Sequence, residues 1–174
     1  MSRAVSAGRI SKNRAKAETE RKTKRLPHRV DYFHQLDDPY SHLVAQVIAD
    51  FAARYDIEIV PHLVRASGGR NQPEAEKLAI WARRDCGLIA PHYGLSFPEN
   101  AGTMPEPELQ KVAGQILAGL PAQEFVSKIK DVSTVLWSED PSGHLSSSTL
   151  SAKPQELDKA LDEGSALLAE MNHY

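Results

Sequence analysis

Between residues 30 and 63 the spacing of apolar side chains changes twice, and that change points to an α/β design. Val30, Tyr32, His34 and Leu36 alternate with Asp31, Phe33 and Gln35, a period of two in residues that favour strands. Asp38 suits a helix N-cap, because its carboxylate can accept from the free amides of a first turn. Pro39 suits the first helical position, where an N–H is not needed. Leu43, Val44, Val47, Ile48, Phe51 and Tyr55 then recur at steps of three and four. They predict one helix over 39–55 with a single apolar face, stopped near Asp56. Ile57 to Leu63 reads as a second strand, with Pro61 marking an edge or a bulge. Strand, helix, strand at this spacing is a βαβ unit, whose strands should run parallel through a right-handed crossover.

The remainder reads as mostly helical after residue 70. Ser67, Gly68 and Gly69 suggest a loop, and Pro73 a helix start. Ala75, Leu78, Ala79, Trp81, Ala82 and Cys86 are expected on the inner side of that helix. It would run towards Tyr93 with a kink at Pro91 and end at Gly94 or Pro98. Residues 100–107 read as a loop and Leu109 to Leu117 as a short helix. Pro121 opens another helix through Phe125, Ile129, Val132, Val135 and Leu136. A turn at 140–143 and a serine-rich linker at 146–151 lead to a last helix from Pro154 that carries Leu157, Leu161, Leu167, Leu168 and Met171. A chain of 174 residues suffices for one domain core.

Charge is divided unevenly. Residues 1–29 hold ten Lys/Arg against two acids, a balance of +8, and residues 30–174 hold eleven against twenty-one, a balance of −10. The first 28 residues therefore read as a basic flexible arm on an acidic body, with too little apolar surface to fold alone. The arm lacks interleaved aromatics, so base stacking, and with it nucleic-acid binding, is not expected. No stretch approaches the roughly 20 apolar residues of a membrane span, and no apolar run follows the basic start as in a secretory signal. The expected compartment is the cytoplasm. Cys86 is the sole cysteine, which excludes an internal disulfide, a Cys-x-x-Cys redox pair and a zinc ribbon.

The strand that ends in Asp37-Asp38-Pro39-Tyr40-Ser41-His42-Leu43 and enters an amphipathic helix resembles the opening of the DsbA-like branch of the thioredoxin superfamily. Within that branch it is similar to the 2-hydroxychromene-2-carboxylate isomerases and kappa-class glutathione transferases, which carry a Ser-Pro-Tyr-Ser type of motif where thiol oxidoreductases carry Cys-Pro-x-Cys. Pro39, Tyr40 and Ser41 match that motif, and Asp38 stands where the family has its first serine. Residues 73–138 fit the helical insertion of the family, with Trp81 to Pro98 resembling the part that ends near the active site. The resemblance implies a thioredoxin-like βαβ unit over 29–66, a helical insertion and C-terminal helix over 67–174, and glutathione as cofactor. It also implies a glutathione-dependent isomerase or transferase acting on a small molecule. After Asp140 no β-rich run supplies the second ββα half of such a fold. The sheet edge left unpaired makes a homodimer an expected state.

The chemistry is then expected at Asp38, Tyr40 and Ser41, with Pro39, Arg65 and Arg70 as binding residues for glutathione or a carboxylate. Serine donates a hydrogen bond, whereas a carboxylate can only accept, so Asp38 should repel a glutathione thiolate. Asp37 and Asp38 also suit a surface acid and a helix cap with no further role. The histidines, among them His34, His42 and His62, show no zinc-motif spacing, and no metal site is expected. Cys86 is expected to be buried and inert, with Arg83 and Arg84 pointing elsewhere. The competing reading is a non-catalytic thioredoxin-like binding module with the basic arm as its attachment.

Overall fold

The computed structural model describes residues 7–55, 57–66, 74–98, 104–138 and 152–171. The expected helix stop at Asp56, the loop at 67–69 with Arg70 and Asn71, the start at Pro73, the first half of the 100–107 loop, the 140–143 turn and the 146–151 linker lie outside them.

Helix α1 (Ala7–Lys24) is the described part of the basic arm. From Gly8 on its residues are exposed except Glu18 and Arg21, which are half-buried against each other as an ion pair of 2.8 Å. Lys24 pairs with Glu20 one turn away at 2.6 Å, a contact of the kind that supports a helix by a few tenths of a kcal/mol. The helix closes with Arg25 at φ 52 and the Leu26 amide on the Arg21 carbonyl, so a left-handed residue satisfies the last carbonyls.

Strands β1 (His28–His34) and β2 (Ile57–Leu63) form a parallel pair, in register from His28 opposite Ile57 to His34 opposite Leu63. The chain is thus a mixed α/β fold, mostly helical around a small sheet. β1 starts and stops two residues earlier than its alternation suggests. Leu36 is drawn away because its carbonyl accepts from the Trp137 indole N–H at 3.3 Å.

The expected single helix over 39–55 is two helices, α2 (Pro39–Ala45) and α3 (Ile48–Arg54). The Gln46 and Val47 amides bond three residues back, to Leu43 and Val44, which tightens the ladder and breaks it. The Gln46 side chain holds the break from outside, with Nε2 donating to the Ser96 carbonyl at 2.8 Å and Oε1 accepting from the Ser96 amide at 3.0 Å. The single apolar face is divided as a result. Leu43, Ala45 and Ile48 are buried, whereas Val44, Val47, Phe51 and Tyr55 stay exposed.

Helix α4 (Ala75–Ile89) continues into a 3₁₀ turn at Ala90–Tyr93 and stops at Gly94, whose φ of 66 favours glycine. Pro91 thus starts a tighter turn where a kink is expected. Cys86 is on the inner side as expected, but Ala75, Leu78 and Trp81 are not; all three are exposed. Helix α5 (Pro107–Ala118) starts two residues ahead of its apolar pattern, with Pro107 at its N-terminus, and α6 (Ala122–Leu136) follows its pattern. Ile129, Leu136, Leu117 and Phe125 of these helices meet Ile59 and Leu63 of β2 and Leu157 of α7 (Pro154–Met171) in one core.

Gly164 is where α7 lies closest to β2. A Cβ there would stand within 2.5 Å of the Leu63 carbonyl oxygen, a backbone atom that cannot swing aside. Gly164→Ala is therefore expected to lower the unfolding free energy by about 1–3 kcal/mol, although alanine is the better helix former. Urea denaturation of the two proteins measures it, and equal or higher stability of the alanine form would show that α7 can lift off β2 without cost.

Candidate active-site corner

The turn after β1 and the first turn of α2 bring Asp37 to Ser41 together. Asp38 has extended backbone angles (φ −94, ψ 121), and its Oδ2 accepts from the Ser41 amide at 2.7 Å. It is the N-cap that its sequence position suggests, and the cap uses the carboxylate. Pro39 is buried at the first helical position. Asp37 accepts from Gln35 Nε2 at 2.9 Å, and Ser41 Oγ accepts from the Gln35 amide at 3.4 Å.

Tyr40 is part exposed, and its hydroxyl donates to Asp85 Oδ2 on α4 at 2.7 Å. That bond, with some burial and the charge of Asp85, pushes the Tyr40 phenol up to about 12. Tyr40 is thus a hydrogen-bond donor held on a fixed acceptor. One residue on, Cys86 is fully buried, and burial followed by the charges of Asp38 and Asp85 pushes its thiol up to about 12. Burial and the raised pKa both work against the thiolate form.

Beneath the corner lies an aromatic floor. His42, 2% exposed, shares a 2.8 Å hydrogen bond between its Nδ1 and Ser133 Oγ. Its ring stacks on Trp137 with centroids 5.5 Å apart and planes 22° apart, and Phe97 closes the side at 5.9 Å. His34, 1% exposed, shares its Nδ1 with the Tyr32 hydroxyl at 2.8 Å. Burial brings both imidazoles down, His42 to about 4 and His34 to about 3, with a backbone hydrogen bond at Ser96 working the other way on His42. The two rings therefore sit neutral in the core.

Arg65 is not brought to the corner's hydroxyls. Its guanidinium bonds Asp162 at 2.9 Å and Asp158 at 3.0 Å on α7, and its amide donates to Ser165 Oγ at 3.0 Å. It clasps the end of β2 to α7. It also lines an open groove of about 550 Å³ together with Asp37, Leu36 and Lys111, so Asp37 and Arg65 share a surface that Tyr40 and Ser41 do not enter. Arg70 lies outside the described residues. Another groove, of about 780 Å³, runs along α4 and the 3₁₀ turn and is lined by Arg83, Arg84, Leu88 and Phe97 among others. Among the described residues no group of three or more His, Cys, Asp or Glu could hold a metal ion, and no helix is long and apolar enough to cross a membrane.

Three members of the corner have no signal in sequence spacing. Asp85 meets Tyr40 across 45 residues, Ser96 meets Gln46 across 50 and Trp137 meets Leu36 across 101. Only the helical period of α4 hints at the first, since Asp85 lies one turn from Trp81 and Leu88. No family model, curated protein or solved structure matches the chain.

Proposed function

We propose that this chain is a DsbA-like protein of the thioredoxin type, allied to the glutathione-dependent isomerases and transferases, and without dithiol chemistry. The observation that carries the reading is the bond from Tyr40 to Asp85. It ties the Pro39-Tyr40-Ser41 corner to the helical segment that follows β2, which is where an insertion completing such a site would have to reach. A parallel β1–β2 pair joined through α2 and α3 supports the same reading. Substrate would be a small molecule, with Tyr40 as the proton donor and Ser41 as the hydroxyl facing a sulfur.

The corner fits glutathione only in part. Ser41 Oγ accepts from the Gln35 amide and keeps its own proton to give. Against that, the Asp38 carboxylate takes the Ser41 amide and puts negative charge where a thiolate would lie. This second observation favours the other reading, a non-catalytic binding module in which the cap has replaced the chemistry.

The two separate on one substitution. Asp38→Ser removes the repelling carboxylate, restores a hydroxyl donor and keeps a good N-cap, so stability should change little. Glutathione is expected to bind the native chain weakly or not at all. The serine form should gain at least two- to fivefold, from the roughly 0.3–1 kcal/mol that first-turn amides offer an anion. Calorimetry at low salt on both forms is the measurement. Tight binding by the native chain would mean that Asp38 turns aside, and absence of binding by both would leave the binding-module reading.

A further inference from the structure

The basic arm carries charge that its own helix does not use. Residues 7–25 hold eight Lys/Arg against two acids. Both acids are taken up inside α1, Glu18 by Arg21 at 2.8 Å and Lys22 at 3.5 Å, and Glu20 by Lys24 at 2.6 Å. The first half of the helix is different. Arg9, Lys12, Arg14 and Lys16 are exposed, have no acid between them in sequence, and make no ion pair with any described residue. Arg9 also stands in a first turn that holds no acid, at the end where free amides already make a helix positive. Neither the stability of α1 nor its packing accounts for these four cations.

We propose that α1 binds the phosphate backbone of a double-stranded nucleic acid. The make-up of the helix is the first argument. Ile10 is the sole large apolar side chain of α1. The helix therefore has no apolar face to sink into lipid, and no anchors at steps of three, four and seven for a groove on a protein. Charge density is the second. Arg9 to Lys16 spans about 10 Å of helix, a length over which a duplex presents about six phosphates. The twenty-one acids of residues 30–174 offer another copy nothing so dense, since eleven Lys/Arg are mixed among them. Shape is the third. A helix is about 10–12 Å across with its side chains, and α1 is exposed along its described length except at Glu18 and Arg21, so it can enter a groove about 12 Å wide. The lack of aromatics in the arm stands against stacking on single strands. A duplex encloses its bases and is held through its phosphates, which need no stacking and carry no sequence. DNA and RNA duplexes share that chemistry. The contact does not depend on what the Tyr40 corner binds.

Fluorescence anisotropy of labelled DNA and RNA duplexes of about 20 base pairs, titrated with the full chain between about 25 and 100 mM salt, tests this. Four phosphates neutralised give a slope of about −3.6 in log affinity against log salt, so affinity should fall about 150-fold over that range. The tighter of the two duplexes identifies the nucleic acid. The variant with Arg9→Gln, Lys12→Gln, Arg14→Gln and Lys16→Gln keeps good helix formers and is expected to unfold at the native temperature, with a slope shallower than about −1. Lys128→Gln combined with Lys130→Gln, exposed cations of α6, should leave the native slope unchanged. No binding to either duplex at the lowest salt, a fourfold variant that keeps the native slope, or a DNA single strand bound as tightly as the duplexes would each overturn the proposal. Tighter binding to phosphatidylserine vesicles, or to polyglutamate, would overturn it in favour of a lipid surface or an acidic protein.

Discussion

Moving this protein from pH 7 to pH 5 is expected to lower its unfolding free energy by on the order of 4 kcal/mol, through His34 and His42. Burial holds the folded-state values near 3 and 4, against about 6.5 in an unfolded chain. Above pH 7 both states carry neutral rings, and these residues contribute no pH dependence. Below 6.5 the unfolded chain takes up two protons that the folded core refuses. The unfolded state then binds more protons, so stability falls as pH falls. Each unit costs about 1.4 kcal/mol per ring until the folded values are reached. The partners explain why the rings stay neutral. His34 faces the Tyr32 hydroxyl, and His42 faces Ser133, Gln46 and two aromatic rings, with no carboxylate among the described residues bonded to either imidazole.

Asp31 titrates in a separate window. Burial raises it, but hydrogen bonds from His62 and Arg29 win and hold it below its ordinary value. Its contribution is present above about pH 4, the unfolded carboxylate value, and is lost only under it. The span from pH 7 to 5 therefore isolates the histidines. Urea unfolding at both pH values measures the loss, and His42→Gln should remove about half of it. Equal stability at pH 7 and 5 would show that the core accepts the protons without cost.

Local patterns reached the βαβ unit well. The period of two in β1, the Asp38-Pro39 start of α2 and the apolar run of β2 each act within a few residues, and the structure keeps all three. The parallel pairing follows, since two strands so joined have little other choice. The break at Gln46 was out of reach of the same reasoning. It comes from a tertiary bond to Ser96, and no period of apolar residues registers one amide side chain. The same blindness hid the division of the apolar face, because spacing alone cannot say that Leu43 and Ile48 are covered while Val44 and Val47 are not. At the corner, Asp38 was readable as a cap because caps are local. Arg65 was not readable as a clasp, because its partners Asp158 and Asp162 lie nearly a hundred residues on.

Trp137 is expected to be the most costly single truncation near the corner, with Trp137→Ala losing about 3–5 kcal/mol of unfolding free energy. Its indole is 5% exposed at the end of α6 and packs against both His42 and Phe97. It also donates to the Leu36 carbonyl, the bond that ends β1 and sets the turn into Asp37 and Asp38. Truncation leaves a cavity and an unpaired backbone carbonyl in the same place, two costs that add. Trp137→Phe keeps most of the ring and loses the donor, so it should cost about 1–2 kcal/mol. A further consequence ties this residue to the acid response. His42 is held down by burial, and the Trp137 ring covers one of its faces, so opening that side to water should let its pKa climb back towards 6.5. The alanine form is then less stable at pH 7 yet loses less on going to pH 5, by about half, because only His34 still refuses its proton. NMR titration of the His42 ring together with urea unfolding at both pH values reads the two effects separately. An alanine form that keeps the full acid loss would mean that His42 is shielded by Phe97 and Ser133 rather than by the indole, and that Trp137 serves the turn alone.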